Sequence, residues 1–316
     1  MRALDPNKTV SPRDLARAIG MSESSLKRWA DQGILHVSRT AGGHRRIQVR
    51  EAIRFVRDRK LSIAVPSALG LSARLGDIDQ APQPIGIESY DGGLNSEIAP
   101  FVHLLESGDG ESAELFLLGR YLAGVSIAEI GDQLIRPSLE RLGHGPHGAE
   151  EILKEHRATQ VCLQAIEQMR AMSRVTQPSF RAVGAGSAAN SYMLPSLLVA
   201  AIMEESGGRA INLGANTPIS ALRCEALSAH SNRDPADLVW LSISEPMDDP
   251  DELAGLSKLI EDCAHHQIHL MVGGRASSIL DLSSLQGPFF SLQASLSGIY
   301  TAVQQLFGHS ETRFSA

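Results

Sequence analysis

Features that restrict a chain to an unusual class of protein are largely missing from this sequence. Three cysteines in 316 residues cannot form a disulfide framework, and we expect Cys162, Cys224 and Cys263 to be reduced thiols. No stretch approaches the roughly 18 apolar residues of a membrane-spanning helix, and the first residues lack the apolar core of a signal peptide. Hydrophobic residues make up 43% of the chain, which excludes intrinsic disorder. We therefore expect a folded cytoplasmic protein without a membrane partner.

Acidic residues are scarce in one part of the chain, although the net charge is -7. Residues 1–60 contain 14 Lys and Arg against 6 Asp and Glu, a local charge of +8, whereas the rest of the chain carries -15. A basic module joined to an acidic body is typical of a nucleic-acid-binding domain attached to a part that does not contact nucleic acid. The charge distribution thus predicts domains with different partners.

The basic segment has the pattern of a winged helix-turn-helix, which we place at residues 1–61. Capping residues and glycines predict a short helix over 11–20 and a second over 22–33, joined by a tight turn. A glycine turn with basic residues at 39–46 has the pattern of a wing. A third helical period follows over 48–59.

The middle of the chain predicts a linker and then a bundle. Residues 62–93 lose periodicity and collect proline and glycine, as a linker does. Beyond the linker, four segments have apolar residues at three- and four-residue spacing. They predict a four-helix bundle at 94–176, with helices over 94–106, 111–123, 126–142 and 149–173.

The last part, residues 177–316, alternates short apolar runs with amphipathic helices. A strand and helix recur about every 30 residues, which predicts a doubly wound parallel sheet of the Rossmann-like or flavodoxin-like type. Ligands of such sheets bind beyond the carboxyl ends of the strands. The apolar runs centre on Val183, Ile211, Trp240, Leu270 and, more weakly, Phe290. The candidate ligand loops are 184–190, 214–218, 242–246 and 273–277. The fold class is thus multidomain, α and α/β.

Three motifs in the basic segment, Leu26–Trp29, Gly33–Leu35 and Gly42–Arg46, resemble the winged helix-turn-helix of the MerR family of transcription regulators. The resemblance covers roughly residues 9–60 and implies binding to double-stranded DNA. Side chains at the start of the second helix can reach base edges and phosphates, and wing cations can neutralise phosphates. Whether His44 contacts phosphate or only supports the turn stays open. The DNA-binding candidates are Ser24, Ser25, Lys27, Arg28, Arg39, His44, Arg45 and Arg46.

The segment Glu155–Thr159 of the last predicted bundle helix is similar to the Glu-His-x-Ala-Thr segment of cobalamin-binding proteins. Residues from about 94 to 310 resemble the helical cap and Rossmann-like domain of methionine synthase, corrinoid carrier proteins and light-responsive MerR regulators of carotenoid synthesis. In these proteins the histidine lies above the corrin. Helical spacing groups His156 with Ile152 and Leu163, so we expect His156 to point inward. A buried structural histidine would give the same pattern.

The sequence departs from the cobalamin-binding pattern at two cofactor contacts. Gly145 stands where the family has a tryptophan that shields the upper face of the corrin. Tyr192 stands where the family has the histidine that binds cobalt from below, with Asn190 in place of the aspartate that tunes it. A phenol with an ordinary pKa near 10 is a poorer cobalt ligand than imidazole. Pro195 also adds bulk where the family has a glycine.

Two segments at predicted strand ends, Leu241–Ser242 and Val272–Gly274, resemble those that flank the buried nucleotide tail of cobalamin in the family. Small residues there let a flat base approach the backbone, but the tight turns of any doubly wound sheet have the same composition. The cofactor stays open: the resemblance implies cobalamin, Tyr192 argues against it, and another small-molecule ligand is the alternative. The cofactor-binding candidates are Glu155, His156, Tyr192, Ser242, Gly273 and Gly274.

Other chemistry is not indicated. His265, His266 and His269 lack the spacing that guarantees convergence on a metal, so we predict no metal site. Gly184 and Gly186 lack the third glycine and the downstream acidic residue of a dinucleotide-binding motif, and no Walker lysine is present. We therefore expect a protein that is not an enzyme.

These patterns predict a sequence-specific DNA-binding transcription regulator with a cobalamin-binding-like sensor or oligomerisation region. We expect a homo-oligomer, a dimer or higher, that binds paired half-sites. One alternative is a regulator whose C-terminal region binds no ligand and serves only protein interaction or oligomerisation. A second is a corrinoid carrier for methyl transfer, against which Tyr192 and the DNA-binding motifs argue.

Overall fold

The computed structural model describes residues 8–76, 93–143, 148–188, 190–228, 234–277 and 288–308. The chain divides into two compact units, residues 1–173 and 174–316. The four-part division that we predict from the sequence stays a prediction.

Three short helices and a small antiparallel sheet begin the N-terminal unit. The hydroxyl of Ser11 caps the first helix, and that of Ser22 caps the second. The strands pair in the order β1-β3-β2, so that β2 and β3 form a hairpin. The elements are β1 Thr9–Val10, α1 Pro12–Ala18, α2 Glu23–Asp31, β2 Ser38–Arg39, β3 Arg45–Gln48 and α3 Val49–Asp58.

One apolar cluster holds these elements together. Leu15 of α1, Leu26 of α2 and Ile53 of α3 are all fully buried. Trp29 of α2 packs on Phe55 of α3 with ring centroids 5.2 Å apart. Burial of such side chains stabilises a fold by about 1.5–3 kcal/mol each, so these side chains stabilise the packing of α1, α2 and α3.

The first part of the predicted linker is folded against its neighbours. Residues Pro66–Leu69 and Ala73–Gly76 form short 3-10 helices, and Leu69 is fully buried. Arg74 bonds the Ser112 hydroxyl at 2.7 Å. The loss of periodicity at 62–76 therefore reflects tight 3-10 turns rather than a free chain. Residues 77–92 of the predicted linker lie outside the described part.

Helical segments form the rest of the N-terminal unit, close to the four that the apolar spacing predicts. The third predicted helix is broken by a π-helical turn, Ile130–Ile135, between α6 and α7. Tyr121 and Ser173 share a buried hydroxyl hydrogen bond of 2.7 Å that joins α5 to the end of α8. The helices are α4 Ile98–Glu106, α5 Gly110–Leu122, α6 Ile127–Glu129, α7 Arg136–Gly143 and α8 Ala149–Ser173.

The third helix and the longer helices are connected by Arg57. Its guanidinium lies 3.5 Å from the centre of the Tyr121 ring and donates to the carbonyls of Tyr121 and Val125, the latter at 3.2 Å. The Tyr121 carbonyl lies in the last turn of α5, where a cation is favourable to the helix dipole, and the Val125 carbonyl lies just beyond that helix. The hairpin-containing part of this unit is therefore attached to α5 by a specific polar contact.

The C-terminal unit is a mixed α/β fold with a five-stranded parallel sheet, as predicted. The strands have the order β5-β4-β6-β7-β8, so the direction of strand addition reverses between β4 and β6. All five lie at the predicted apolar runs. They are β4 Arg181–Gly186, β5 Arg209–Asn212, β6 Leu238–Ser242, β7 His269–Gly273 and β8 Phe290–Gln293.

Helices connect the strands as the crossovers of a doubly wound sheet require. One face of the sheet, with Val239 and Leu241 of β6, belongs to a core that includes Leu222 and Leu259 of two of these helices. Trp240 alternates to the other face and is 1% exposed. The helices are α9 Met193–Glu205, α10 Ile219–Ala226, α11 Pro250–His265 and α12 Leu296–Phe307. No helix in the described ranges is long and apolar enough to cross a membrane.

Candidate functional site

The carboxyl edge of the parallel sheet is the first candidate site, because ligands of such sheets bind where the strand order reverses. Here that point lies between β4 and β6, whose last residues, Gly186 and Ser242, are paired in register. Ser242 is buried, and its carbonyl accepts from the Ser187 N–H at 3.0 Å. The buried Ser187 hydroxyl has no hydrogen-bond partner among the residues described.

Asn190 covers this carboxyl edge of the sheet. Its side chain is fully buried; Nδ2 donates to the Ser242 carbonyl at 3.1 Å, and Oδ1 accepts from the Tyr192 N–H at 2.9 Å. Its carbonyl accepts from the Asn216 N–H at 2.8 Å. Both polar groups of the Asn190 side chain are thus used, and together with its backbone carbonyl they join the loop after β4 to the end of β6 and to the loop after β5.

Tyr192 lies at the surface of the same edge. Its side chain is 44% exposed, and the Arg275 guanidinium lies 5.7 Å from its ring centre. Arg275 also approaches Glu245 with a nitrogen to oxygen distance of 3.6 Å. Arg275 and Glu245 lie in the predicted ligand loops 273–277 and 242–246, but their contacts could not be predicted, because only the strand order brings the loops after β6 and β7 beside the loop after β4.

The glycines of this edge lie against the backbone of the protein itself. A Cβ at Gly273 would lie 2.8 Å from the Gln293 carbonyl oxygen, and a Cβ at Gly274 would overlap the backbone of Ile243. A Cβ at Gly186 would lie 3.2 Å from Asn190 Nδ2. These three glycines therefore permit close packing of strands and loops, and they leave no open cradle beside the backbone.

The second candidate region is the start of α8. The structure corrects the expectation that His156 points inward: His156 is exposed, Glu155 is half-buried and Ile152 is 45% exposed. Leu163 of the same helix face is buried. The neighbouring helices cover the later turns of α8 and leave its first turns open, so helical spacing alone wrongly placed His156 in the interior. Gly145, the position that corresponds to the shielding tryptophan, lies outside the described residues.

The basic surface of α2 and the β2–β3 hairpin is the third candidate site. Arg28 and Arg39 are exposed, and neither has an ion-pair partner in the described part of the chain. Lys27 is exposed but lies 3.1 Å from Glu23. His44 is exposed in the turn, where its backbone N–H donates to the Thr40 hydroxyl at 3.2 Å. Positive charge is thus available on both α2 and the hairpin.

The helix start on this surface carries hydroxyl groups. Ser24 and Ser25 each place a hydroxyl 2.9 Å from that of Ser22, the cap residue of α2. Ser24 is exposed and Ser25 is half-buried. These side chains lie at the helix N-terminus, which favours negatively charged groups such as phosphates.

The two arginines of the wing motif differ from the expectation that both are available for phosphate. Arg45 bonds the Asp31 carboxylate at 2.5 Å and the Lys27 carbonyl at 3.4 Å, and its side chain is only 22% exposed. Arg46 is half-buried beside Asp14. A hydrogen bond from the Ser11 hydroxyl holds the pKa of Asp14 below its usual value, and the charges of Arg17 and Arg46 lower it further. Only the structure identifies Asp31 as the partner of Arg45.

Other reactive side chains form no site. Among the residues described, no three His, Cys, Asp or Glu side chains are grouped to hold a metal ion. Burial raises the pKa of the Cys162 and Cys263 thiols to about 12, so both are protonated at neutral pH. A thiolate is the reactive form of cysteine, and these two thiols are therefore inert.

Comparisons with known proteins give structural similarities of low identity. No protein-family model matches the chain. No curated protein sequence matches it significantly. The monomethylamine corrinoid protein of Methanosarcina barkeri is 13% identical, with 67% of this chain and 99% of that chain covered and a TM-score of 0.44.

Two further solved structures are similar at the same low level. The methanol:cobalamin methyltransferase complex of the same organism is 11% identical over 74% of this chain and 92% of that chain, with a TM-score of 0.36. A cobalamin-binding protein of Desulfitobacterium hafniense is 13% identical over 67% of this chain and 97% of that chain, with a TM-score of 0.33. At these values the similarities do not assign a function.

The residues of the sheet edge do not fit a cobalamin held by a protein ligand. The position that corresponds to the cobalt ligand is a phenol, Tyr192, which faces Arg275 at the surface. Asn190, beside it, uses both polar groups of its side chain in hydrogen bonds to Ser242 and Tyr192. Gly273 and Gly274 lie against backbone atoms rather than an open space.

Proposed function

We propose that the chain is a DNA-binding transcription regulator whose N-terminal part is a winged helix-turn-helix of the MerR type. In this proposal α2 is the recognition helix and the β2–β3 hairpin is the wing. The observation that supports it is the pair of exposed cations that have no ion-pair partner among the described residues, Arg28 on α2 and Arg39 on the hairpin. Such cations bind phosphates, and α2 is short and exposed enough to enter a major groove.

The parallel-sheet unit has a regulatory or oligomerisation role in this proposal. Regulators of this type bind paired half-sites as symmetric dimers, which requires contacts outside the DNA-binding elements. The acidic charge of the chain after residue 60, -15, opposes direct contact of that part with DNA. We therefore assign DNA contact to the N-terminal elements and self-association to the remainder.

Selection from a random duplex library tests this function. The full chain is expected to enrich a motif with two-fold symmetry, and the Arg28→Ala/Arg39→Ala variant is expected to lose this enrichment. The control is Arg157→Ala/Arg209→Ala, which removes two exposed arginines outside the proposed surface. Enrichment that is equal in all three proteins, or absent from the parent chain, contradicts the proposal.

A corrinoid carrier is the second candidate function. The three similar structures are described as corrinoid or cobalamin proteins, which agrees with this candidate better than with DNA binding. Tyr192 opposes it, because a phenol does not replace imidazole in ligand exchange at cobalt. Absorbance of the purified chain mixed with methylcobalamin separates the two: a spectrum of histidine-coordinated corrinoid favours the carrier, and an unchanged spectrum favours the regulator.

A further inference from the structure

Trp240 is the largest of the fully buried side chains in the part of the chain that the structure describes. It lies in the middle of β6, on the face of the sheet opposite to Val239 and Leu241. An indole at such a position fills the space between the sheet and the helix that covers it. The indole therefore limits which ligands can enter this space in the C-terminal unit.

The strand beside Trp240 is shaped to accept the indole. Gly184 of β4 is its register partner, and a Cβ at Gly184 would overlap the indole ring. The absence of a side chain at Gly184 is thus explained by Trp240 itself. No room remains at this glycine for a second flat ring.

A chain of hydrogen bonds holds the indole in place. Trp240 Nε1 donates to the Ser196 hydroxyl at 3.0 Å, and this hydroxyl donates to Asn212 Oδ1 at 2.8 Å. Asn212 Oδ1 also accepts from the Gly214 N–H at 3.1 Å. The donors and acceptors join β6, α9 and the end of β5, so a change of indole orientation would leave buried polar groups unpaired.

We infer that Trp240 is the residue that determines binding specificity in the C-terminal unit, and that it excludes a buried flat aromatic base. Leu241–Ser242 and Val272–Gly274, at the ends of β6 and β7, are the segments whose resemblance to cobalamin-binding proteins implies a nucleotide tail. Trp240 directly precedes the first of these segments, and its indole occupies the interior next to Ser196 of α9. Loss of the ligand histidine at position 192 is therefore not the only barrier, and restoring it alone does not restore cofactor binding.

The inference goes beyond the proposed function, since a unit that binds no buried base can still regulate or assemble a DNA-binding protein. It predicts a core whose stability needs no ligand. It also distinguishes two reasons why cobalamin would not bind, namely a missing metal ligand and a filled pocket. The sequence alone does not distinguish them.

The test uses the full chain and the variants Tyr192→His, Trp240→Ala and Trp29→Ala, the last as a control for tryptophan removal. The first probe is free 5,6-dimethylbenzimidazole, the base of the cobalamin tail, at millimolar concentration. We expect the melting temperature of Trp240→Ala to rise by several degrees with this probe, because an enclosed cavity binds a flat apolar molecule. No rise is expected for the parent, Tyr192→His or Trp29→Ala.

The second probe is methylcobalamin, followed by absorbance. Tyr192→His keeps Trp240 and is expected to fold, so it tests the inference even if Trp240→Ala fails to fold. We expect no histidine-coordinated spectrum from Tyr192→His alone, and its appearance in Tyr192→His/Trp240→Ala would support the inference further. Micromolar binding with histidine coordination by Tyr192→His alone, or stabilisation of the parent by the free base, would overturn it. Neither result depends on whether the chain binds DNA.

Discussion

Arg45 shows how one contact changes the role of a residue within a motif. Its ion pair with Asp31 is partly exposed, and such pairs contribute about 0.2–1 kcal/mol to stability. The larger effect is geometric, because the pair attaches the hairpin to the end of α2. Arg45 is thus a positioning residue in the proposed DNA complex, whereas Arg39 is available for phosphate.

Substitution of Arg45 tests this distinction. We expect Arg45→Ala to weaken DNA binding about three- to tenfold with almost no change in the slope of log K against log salt, because its charge is already paired. Arg39→Ala should reduce that slope by about 0.9, the value for one lost phosphate contact. The exchange Asp31→Arg/Arg45→Asp restores the pair and should recover part of the affinity. A slope change in Arg45→Ala equal to that in Arg39→Ala would show that Arg45 contacts phosphate directly.

A second residue-scale prediction concerns His269, which packs against the rings of Phe289 and Phe307 at centroid distances of 5.2 and 6.3 Å. Burial lowers the pKa of His269 below its ordinary 6.5, so the folded state favours the neutral ring. Its contribution to stability is therefore present above pH 6.5 and is lost as the pH falls through the lower folded-state pKa. Urea denaturation at pH 7.5 and at pH 5 should show a smaller loss of stability for His269→Gln than for the parent. An equal loss in both proteins contradicts this assignment.

At the scale of elements, the contact of Arg57 with the end of α5 joins the hairpin-containing part of the N-terminal unit to the longer helices. Hydrogen bonds from a charged donor contribute about 1.5–3 kcal/mol, and the cation above the Tyr121 ring adds to this. We expect Arg57→Ala to lose about 2 kcal/mol and to increase amide exchange in both α3 and the last turn of α5. The exposed Arg59→Ala is the matched control. Exchange that increases in α3 alone would show that the contact does not couple the two helices.

Apolar spacing predicted the bounds of the helices and strands well, but it predicted the burial of their side chains poorly. The last bundle helix was expected over 149–173 and lies at Ala149–Ser173, because a long periodic segment with few breaks has one regular solution. The same spacing placed His156 inward and was wrong, since it groups residues on a face without saying which turns a neighbour covers. The fold of residues 66–76 was missed because 3-10 turns have no apolar period.

The candidate site residues also fall into two groups, those that the sequence predicted and those that only the structure identified. Basic residues of the N-terminal surface were visible from local motifs, since they lie within one short segment. The Arg45–Asp31 pair, the Arg275–Tyr192 contact and the packing of Trp240 against α9 each join residues of different structural elements. Only the tertiary structure specifies such pairs, so no local pattern could have predicted them.

For the whole molecule, the uneven charge is the property that connects sequence and proposed function. The +8 of residues 1–60 lies on elements with exposed Arg28 and Arg39, while the remaining chain is acidic. A protein of this kind binds DNA through one part and is repelled by it elsewhere. Its affinity for DNA should therefore depend steeply on salt, and this dependence should originate in the N-terminal elements.

The most direct measurement is the binding of the full chain to a duplex of about 30 base pairs, followed by fluorescence anisotropy from about 50 to 300 mM salt. We expect a linear fall of log K with log salt, and a slope that is shallower by about 1.8 in Arg28→Ala/Arg39→Ala, because two phosphate contacts are lost. The slope of Arg157→Ala/Arg209→Ala should equal that of the parent. No measurable binding by the parent chain, or the same slope in all three proteins, would contradict the proposal that this surface binds DNA.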